Sequence, residues 1–513
     1  MTPEILDCLI VGAGPGGLQV AACLREEGLT YEIVEQGGIP GSFFTTYPRH
    51  RQLISSNKRY TGNDDPEFNL RMDWNSLLSD DPDLRFTRYS ERYFPAADDM
   101  VRYLADFASA RELNITYNRR VVSISRSAGV FAAVDDFGDT RRARRVVIST
   151  GVSLPNIPDI PGIELAEQYA TVSVDPNDFI NQRVLVLGKG NSALETADNL
   201  IETAAVIHIA GPNPVKLAWK THFVGHVRAV NNNFLDTYQL KSQNAVIDAE
   251  LVELNKDAAG YRATFKFTRA TVEHTYDRVI VCTGFRFDSA IFAEDCRPRL
   301  AIDGRFPELT GTYESSNVSG LYFAGTLTQQ IDFKKSTSGF IHGFRYGARA
   351  LGRVLAHRHH DRPWPRRRVG RSAQELTAAV IGRINRSSGL FQQFGVLADV
   401  LVLPPDGPAR YYEEVPAPYL ADGMVDEERD DAFSITLEFG PDHDTVDPFV
   451  PRLSSSVLGR EHIDTFLHPV VRHYRRGEVV GTVHLPDDLE NRWDRPDVHV
   501  EPLAEFFAHA VSG

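Results

Sequence analysis

The chain has 513 residues, enough for about three ordinary domains. With 55 Lys plus Arg against 69 Asp plus Glu, its formal charge is −14, which excludes a global field that would draw in nucleic acid or an anionic membrane. No apolar run approaches the roughly 18 residues of a membrane helix. The four cysteines, Cys8, Cys23, Cys282 and Cys296, form no Cys-x-x-Cys pair and no metal-ligand spacing, so neither a disulfide scaffold nor a metal site is expected.

In chain order, Leu6 to Val11 reads as a buried strand and is followed by Gly12-Ala13-Gly14-Pro15-Gly16-Gly17. A helix then runs to about Glu27, and Tyr31 to Glu35 is a second strand. This is Gly-x-Gly-x-x-Gly in a strand–turn–helix context, the arrangement that binds a dinucleotide. Gly12 allows the tight turn, Gly14 lets a pyrophosphate approach the backbone, and Gly17 lets the helix pack on the strand. Unpaired N–H groups at the helix start suit phosphates, and Glu35 would accept from a ribose.

A second copy follows. Arg183 to Leu187 is a strand, Gly188-Lys189-Gly190-Asn191-Ser192-Ala193 the turn, a helix runs to about Thr203, and Ala205 to Ala210 is the next strand. No acid occurs from Gly211 to Leu235, whereas Lys216, Lys220 and Arg228 lie there. An acid at that strand end reads the free 2′-hydroxyl of NAD and a cation accepts the 2′-phosphate of NADP, so NADPH is the expected dinucleotide. Two such folds in one chain suggest that one holds FAD while the other presents NADPH to it. Val146 to Gly151, ending Thr150-Gly151, and Val279 to Gly284, ending Thr283-Gly284, are strands that leave and re-enter the flavin fold around the insert. Leu321 to Gly325 leads through a loop to a helix near Gly339, whose N-terminus could face the flavin.

The expected fold class is α/β, with two Rossmann-like dinucleotide-binding domains and a C-terminal α+β accessory domain. The boundaries are 1–165 and 279–356 for the FAD domain, 166–278 for the inserted NADPH domain, 357–371 for a basic linker and 372–513 for the accessory domain. His357, His359 and His360 are expected in that linker, off any helical face. The stretch from Asp406 to Asp447 holds 13 acids against Arg410 and Arg429 and reads as an exposed, loop-rich surface.

The strings Ser42-Phe43-Phe44-Thr45, Tyr47-Pro48-Arg49-His50-Arg51, Asn57 to Gly62, Asp73 to Leu78, Ala218-Trp219-Lys220-Thr221-His222, Leu235 to Ser242 and Gly339 to Tyr346 are distinctive. With the two fingerprints and the paired Thr-Gly ends, residues 6 to 403 resemble the FAD-dependent oxidoreductase domain-containing family, within the flavin-containing monooxygenase-like flavoproteins. Two departures stand out. Glu167 to Val174 lacks the Phe-x-Gly-x-x-x-His pattern of monooxygenases, and Gly325-Thr326 replaces the Gly-Asp of many flavin reductases. The family's eukaryotic members enter an oxidising lumen. Met1-Thr2-Pro3-Glu4 has no basic or apolar leader, so a cytoplasmic enzyme is expected.

The resemblance implies a single-component monooxygenase that forms a C4a-hydroperoxyflavin and oxygenates a small substrate, for example the nitrogen of an amine or amino acid. Asn57 is the candidate for positioning the hydroperoxide, Asp332 and Lys334 for substrate binding or flavin protonation, and His342 for acid–base chemistry. The candidate cofactor contacts are Gly12, Gly14, Gly17, Glu35, Gly41, Phe43, Asn57, Val122, Thr150, Gly151, Gly325 and Thr326 for FAD. For NADPH they are Gly188, Gly190, Asn191, Ser192, Ala193, Lys216, Lys220, Thr283 and Gly284. The partners are a small substrate and molecular oxygen, with no nucleic acid and no membrane, and a homodimer is compatible. The alternatives are an NADPH-dependent reductase or oxidase without oxygenation, a thiol–disulfide role being disfavoured by the unpaired cysteines, and a flavin-bearing binding module.

Overall fold

The structure is a computed structural model, and it describes residues 5–240, 242–421, 431–441, 443–446 and 465–512. The chain divides into two compact units. The first comprises Met1–Thr45, Ser55–Gly151 and Ser289–Gly513, and the second Thr46–Ile54 and Val152–Asp288.

In the first unit, Leu6–Val11 is the centre of a parallel sheet, with Tyr31–Val34 and then Ile115–Thr116 on one side and Thr140–Ile148 on the other. Leu321–Phe323 joins the far end of Thr140–Ile148 in parallel, and the antiparallel strands Val130–Asp135 and Val121–Ser127 extend its near end. The central strand reads Leu-Asp-Cys-Leu-Ile-Val because a central parallel strand is buried along most of its length; the helix Pro15–Glu26 packs on it and against the long helix Ile341–His360.

The C-terminal part of this unit is a six-stranded antiparallel sheet in the order Arg366–Val369, Ala409–Pro416, Leu397–Val402, Ala432–Glu438, His468–Arg475, Glu478–His484. Alternation sends Leu401, Tyr411, Phe433 and Ile435 to the face covered by helices Ala373–Arg386 and Glu501–Ser512. Val400, Val402, Tyr412 and Val415 go to the opposite face, against Val354 of the long helix and Trp364.

Two expectations change here. His357, His359 and His360 form the last turn of the long helix, and Arg366–Val369 is an edge strand. The basic residues complement the negative end of that helix, so a strip that looked like linker continues regular structure. The acidic stretch from Asp406 contains two buried strands, and Glu414 is buried. Its acids at 422, 426–428, 430, 442 and 447 lie outside the described residues.

Glu414 survives burial because arginines surround it. Arg349 Nε donates to its Oε2 at 2.9 Å and Arg383 Nη2 to its Oε1 at 3.1 Å. Arg383 Nε reaches Asp399 Oδ2 at 3.0 Å, and its Nη1 meets Glu67. Asp399 also accepts from Tyr411 Oη and from Glu414 N. Burial alone would raise the Glu414 carboxyl, but Arg349, Arg383 and Arg353 outweigh it and hold it at about 2. Glu414 itself has φ +58°, and the strand register slips beside it between Ala398 and Val400, a bulge that turns the carboxylate toward the long helix.

The second unit carries a five-stranded parallel sheet in the order Ala245–Asp248, Val206–Gly211, Arg183–Leu187, Arg278–Val281, Glu167–Gln168, with helix Asn191–Leu200 packed on it. A three-stranded antiparallel sheet, Glu250–Asp257, Gly260–Lys266 and Thr271–Tyr276, covers the other face through Leu254, Tyr261 and Phe265. Thr46–Ile54 folds with this unit: Tyr47 packs on Tyr169 and Phe285, with ring centroids 6.2 and 5.6 Å apart, and Arg49 Nη2 donates to Val172 O at 2.6 Å.

Replacing Arg383 by Ala strips Asp399 and Glu414 of a shared buried cation while leaving both carboxylates in place. The variant is expected to lose about 3–5 kcal/mol of unfolding free energy, measured by denaturant titration. A loss below about 1 kcal/mol would show that water or another cation replaces the guanidinium.

Candidate functional site

In the first unit the glycines act as a set. Gly12 has φ +102°, and a Cβ there would lie 2.7 Å from Ser149 O. A Cβ on Gly17 would lie 2.0 Å from Gly12 O, and one on Gly16 would lie 2.6 Å from Gly325 Cα and 2.8 Å from Ser149 Oγ. The turn is thus compressed between the ends of the strands Thr140–Ile148 and Leu321–Phe323. Gly14 is the exception, since a Cβ there meets nothing within 4 Å. That open position lies at the N-terminus of helix Pro15–Glu26, where a phosphate would sit.

Glu35 is buried at the end of the second strand. Its Oε2 accepts from Ala13 N at 2.7 Å, and its Oε1 from Gly37 N at 2.8 Å and Ser42 Oγ at 2.9 Å. A carboxylate offers about four acceptor sites, so one on Oε2 is still open to a ribose hydroxyl. Gly41 N donates to Ala13 O; the residue has φ +65°, and only the lack of a side chain leaves room for Leu104 Cδ1, which a Cβ would approach to 2.4 Å. These features fit a bound FAD.

The remaining candidates in this unit fall in several places. Phe43 is exposed on the short helix Ser42–Thr45, and Val122 is exposed on the strand Val121–Ser127. Thr150 and Gly151 follow Ile148, Gly151 with φ +65°, while Thr326 is half-buried in the turn Gly325–Gln330.

Asn57 is buried beside Asp73. Its Nδ2 donates to Ser90 O at 2.8 Å and Arg92 O at 3.1 Å, which uses both amide protons and leaves Oδ1 as its open group. Next along that strand pair, Trp74 N donates to Ser56 O and its ring stacks on His342 at 4.3 Å. His342 lies in the first turn of the long helix and stacks on both Trp74 and Phe340. Asn57 and His342 are therefore linked through Trp74.

Asp332 and Lys334 are separated. Asp332 is buried, its Oδ2 accepts from Ser338 N at 3.0 Å, and its Oδ1 has no hydrogen-bond partner among the described residues. Burial pushes its carboxyl up to about 6. Lys334 is exposed over the Phe333 ring with φ +61°.

Two arginines that sequence reading passed over hold this region. Arg345 Nη1 donates to Asp73 O and Ser76 O, and its Nη2 to Leu70 O. Arg71 is buried among Phe68, Phe391 and Trp493 and donates to Ile384 O and Ser387 O at the end of helix Ala373–Arg386. Both lie in or beside the distinctive strings, whose order along the chain was visible but whose mutual contact was not.

In the second unit, Gly188 has φ +121°, and a Cβ there would lie 2.2 Å from Cys282 O, whereas one on Gly190 meets nothing within 4 Å. The turn again leaves an open approach to a helix N-terminus, which fits NADP(H). Ala193 is fully buried in the first turn of the helix Asn191–Leu200. Asn191 accepts from Arg228 N at 2.9 Å and Asn231 Nδ2 at 3.0 Å and donates to His226 O at 2.9 Å, so it pins the loop that carries the cations. Lys216 and Lys220 are exposed on that loop.

Ser192, Thr283 and Gly284 line a small cleft with Tyr169, Cys282 and Phe285. Tyr169 Oη donates to Glu195, and burial raises that carboxyl to about 7. Glu195 is a residue the sequence did not single out. Its only signal was a carboxylate on the inner side of a helix that starts at a fingerprint.

The family model for pyridine nucleotide-disulphide oxidoreductases matches residues 9–325. The mouse protein FAD-dependent oxidoreductase domain-containing protein 2 is 39% identical over 98% of this chain and 84% of its own length. Among solved structures, the flavin-containing monooxygenase from Stenotrophomonas maltophilia (TM-score 0.55, 20% identity) aligns with 69% of this chain and 99% of its own. The bacillithiol disulfide reductase Bdr from Staphylococcus aureus (TM-score 0.55, 17% identity) aligns to the same extent. A fold shared equally by a monooxygenase and a reductase does not choose between them. The full-length likeness and the matched model together make the chain a member of the FAD-dependent oxidoreductase domain-containing proteins within the pyridine nucleotide-disulphide oxidoreductase family, an enzyme that uses FAD and NADP(H).

Proposed function

We propose that this oxidoreductase is a monooxygenase that places one atom of molecular oxygen on a small substrate, the nitrogen of an amine or amino acid. The balance is NADPH + H⁺ + O₂ + R–NH₂ → NADP⁺ + H₂O + R–NHOH. The observation that carries this reading is the state of the thiols. All four cysteines are free and buried, and burial pushes Cys8 up to about 12, Cys23 and Cys296 up to about 11, and Cys282 higher still. An attacking thiolate with a resolving partner is what disulfide chemistry needs, and neither is present among them. Electrons then leave to a diffusible acceptor.

FAD, when bound, supplies the site that takes a hydride from NADPH and passes the electrons to oxygen. The chain's own residues would do the rest. Glu35 would hold a ribose through the open acceptor on Oε2. The long helix has no side-chain cap at Phe340, so its first-turn N–H groups and positive end would stabilise negative charge placed before it. Asp332, buried and with its carboxyl raised to about 6, would take up or release a proton at Oδ1 just below neutrality. Stacking against Trp74 and Phe340 fixes the His342 ring.

One observation favours a second reading, an NADPH oxidase that releases hydrogen peroxide. Asn57 spends both amide protons on carbonyls and has none to offer an oxygen species. The two readings separate on ¹⁸O₂. Incubation with NADPH and a panel of amines and amino acids should give one ¹⁸O in product per NADPH oxidised, read by mass spectrometry. Stoichiometric peroxide with no labelled product across the panel would replace the monooxygenase reading with the oxidase.

A Cβ on Gly14 meets no protein atom within 4 Å, and the branched side chain of Gly14→Val would fill the phosphate approach. The variant should fold with native circular dichroism and purify without yellow colour. Retained FAD would place the flavin elsewhere.

Asp332 has a folded value of about 6, above the roughly 3.9 of an unfolded Asp, so between these values the folded state holds a proton that the unfolded state has released. Its contribution therefore declines as pH rises from about 4 to 6. Asp332→Asn should gain about 2 kcal/mol relative to the parent at pH 7 compared with pH 4, measured by thermal unfolding at both. Equal differences at the two pH values would show that the carboxylate ionises in the fold without penalty.

A further inference from the structure

The cations after the second fingerprint point to NADPH, but Lys216 and Lys220 are exposed on a loop. Packing shows a different cation at the strand end. Lys189, the middle residue of Gly188-Lys189-Gly190, extends across Gly211, the last residue of its strand, where a Cβ on Gly211 would touch its Cγ, Cδ and Cε at 3.6–3.7 Å. Its ammonium donates to Gly211 O at 2.8 Å and Asn213 O at 2.9 Å and pairs with Asp248. The Lys189 side chain is 8% exposed and that of Asp248 55%.

Asp248 arrives through sheet register. The strands Val206–Gly211 and Ala245–Asp248 are parallel, with Gly211 opposite Asp248. An acid therefore stands at the end of the second strand although none follows that strand in sequence. In a dinucleotide fold this edge receives the adenosine ribose, and an unopposed carboxylate there would accept from a free 2′-hydroxyl and repel a 2′-phosphate. Lys189 cancels that charge; two of its three N–H donors go to the Gly211 and Asn213 carbonyls and the third to Asp248. A lysine needed only to close the loop could use the two carbonyls alone, and the third contact, to a half-exposed acid, is the one a ligand phosphate can replace.

We propose that Lys189 and Asp248 together form the determinant for the 2′-phosphate of NADP(H), with Lys189 taking the phosphate and neutralising Asp248. Asn191 acts in support: it accepts from Arg228 N and Asn231 Nδ2 and so holds the loop that follows the strand end. The assignment rests on the NADP(H) use of the family and is independent of the oxygenation reaction.

The test is calorimetric binding to the full-length holoenzyme of two adenosine fragments, adenosine 2′,5′-bisphosphate and 5′-AMP. In Lys189→Met the bisphosphate should bind about tenfold more weakly with 5′-AMP unchanged within about twofold, because a phosphate contact is exchanged for a bare carboxylate. In Asp248→Asn the bisphosphate should bind about threefold more tightly, since a like charge leaves the site. An unchanged ratio of the two fragments in Lys189→Met would overturn the proposal, as would equal loss of both. If that variant does not fold, Asp248→Asn decides alone, with unchanged or weaker bisphosphate binding counting against the pair. Binding of neither fragment by the parent protein would overturn both this site and the assignment of the second fingerprint to a dinucleotide.

Discussion

A buried guanidinium is tolerated only when its N–H groups meet acceptors, and Arg345 meets three carbonyls at once. Leu70, Asp73 and Ser76 all bond to it, so the irregular segment between them takes its shape from a side chain on the long helix. Asp73 in turn caps Asn75 N and Ser76 N, and Trp74 is left facing His342. Asn57 is paired beside Asp73. Remove the guanidinium and the three carbonyls lose the donor that gathers them.

A second group of constraints is steric. The first fingerprint turn is bounded by Ser149 and Gly325, and Gly12, Gly16 and Gly17 are the residues that permit such close approach. Only Gly14 opens outward. The corresponding turn in the second unit repeats the pattern, with Gly188 against Cys282 and Gly190 open. Dinucleotide binding thus appears twice as the same physical solution, a crowded inner side and a vacant outer side to one turn.

Much of this was legible in sequence, because strands buried on both faces and glycine turns leave local signatures. Arg183–Leu187 and Leu321–Phe323 fell where their apolar runs lay, and the fingerprint helix ended within a residue of expectation. What was hidden depended on register and burial. Asp248 could not be associated with Gly211 without knowing that their strands are parallel neighbours. Glu414 looked like one acid among many on a charged surface, and only the bulge at its positive φ and three arginines reveal it as interior. His357 to His360 looked irregular because prolines follow them, yet the helix simply ends there with its cations in place. Asp332 and Lys334 are two residues apart in sequence, and the positive φ at Lys334 sends one inward and the other to solvent.

The nine residues Thr46–Ile54 give the second unit a history of its own. They come from within the first dinucleotide fold, yet Tyr47 packs between Tyr169 and Phe285, and Arg49 is tied to Val172. Such a unit is not a cassette. A graft or a recombination event that moved only the contiguous stretch from 152 to 288 would leave behind part of its own aromatic packing. Exchange of nicotinamide-binding modules between relatives of this protein would have to carry two separated pieces of gene together, which ties the evolution of the insert to that of its host.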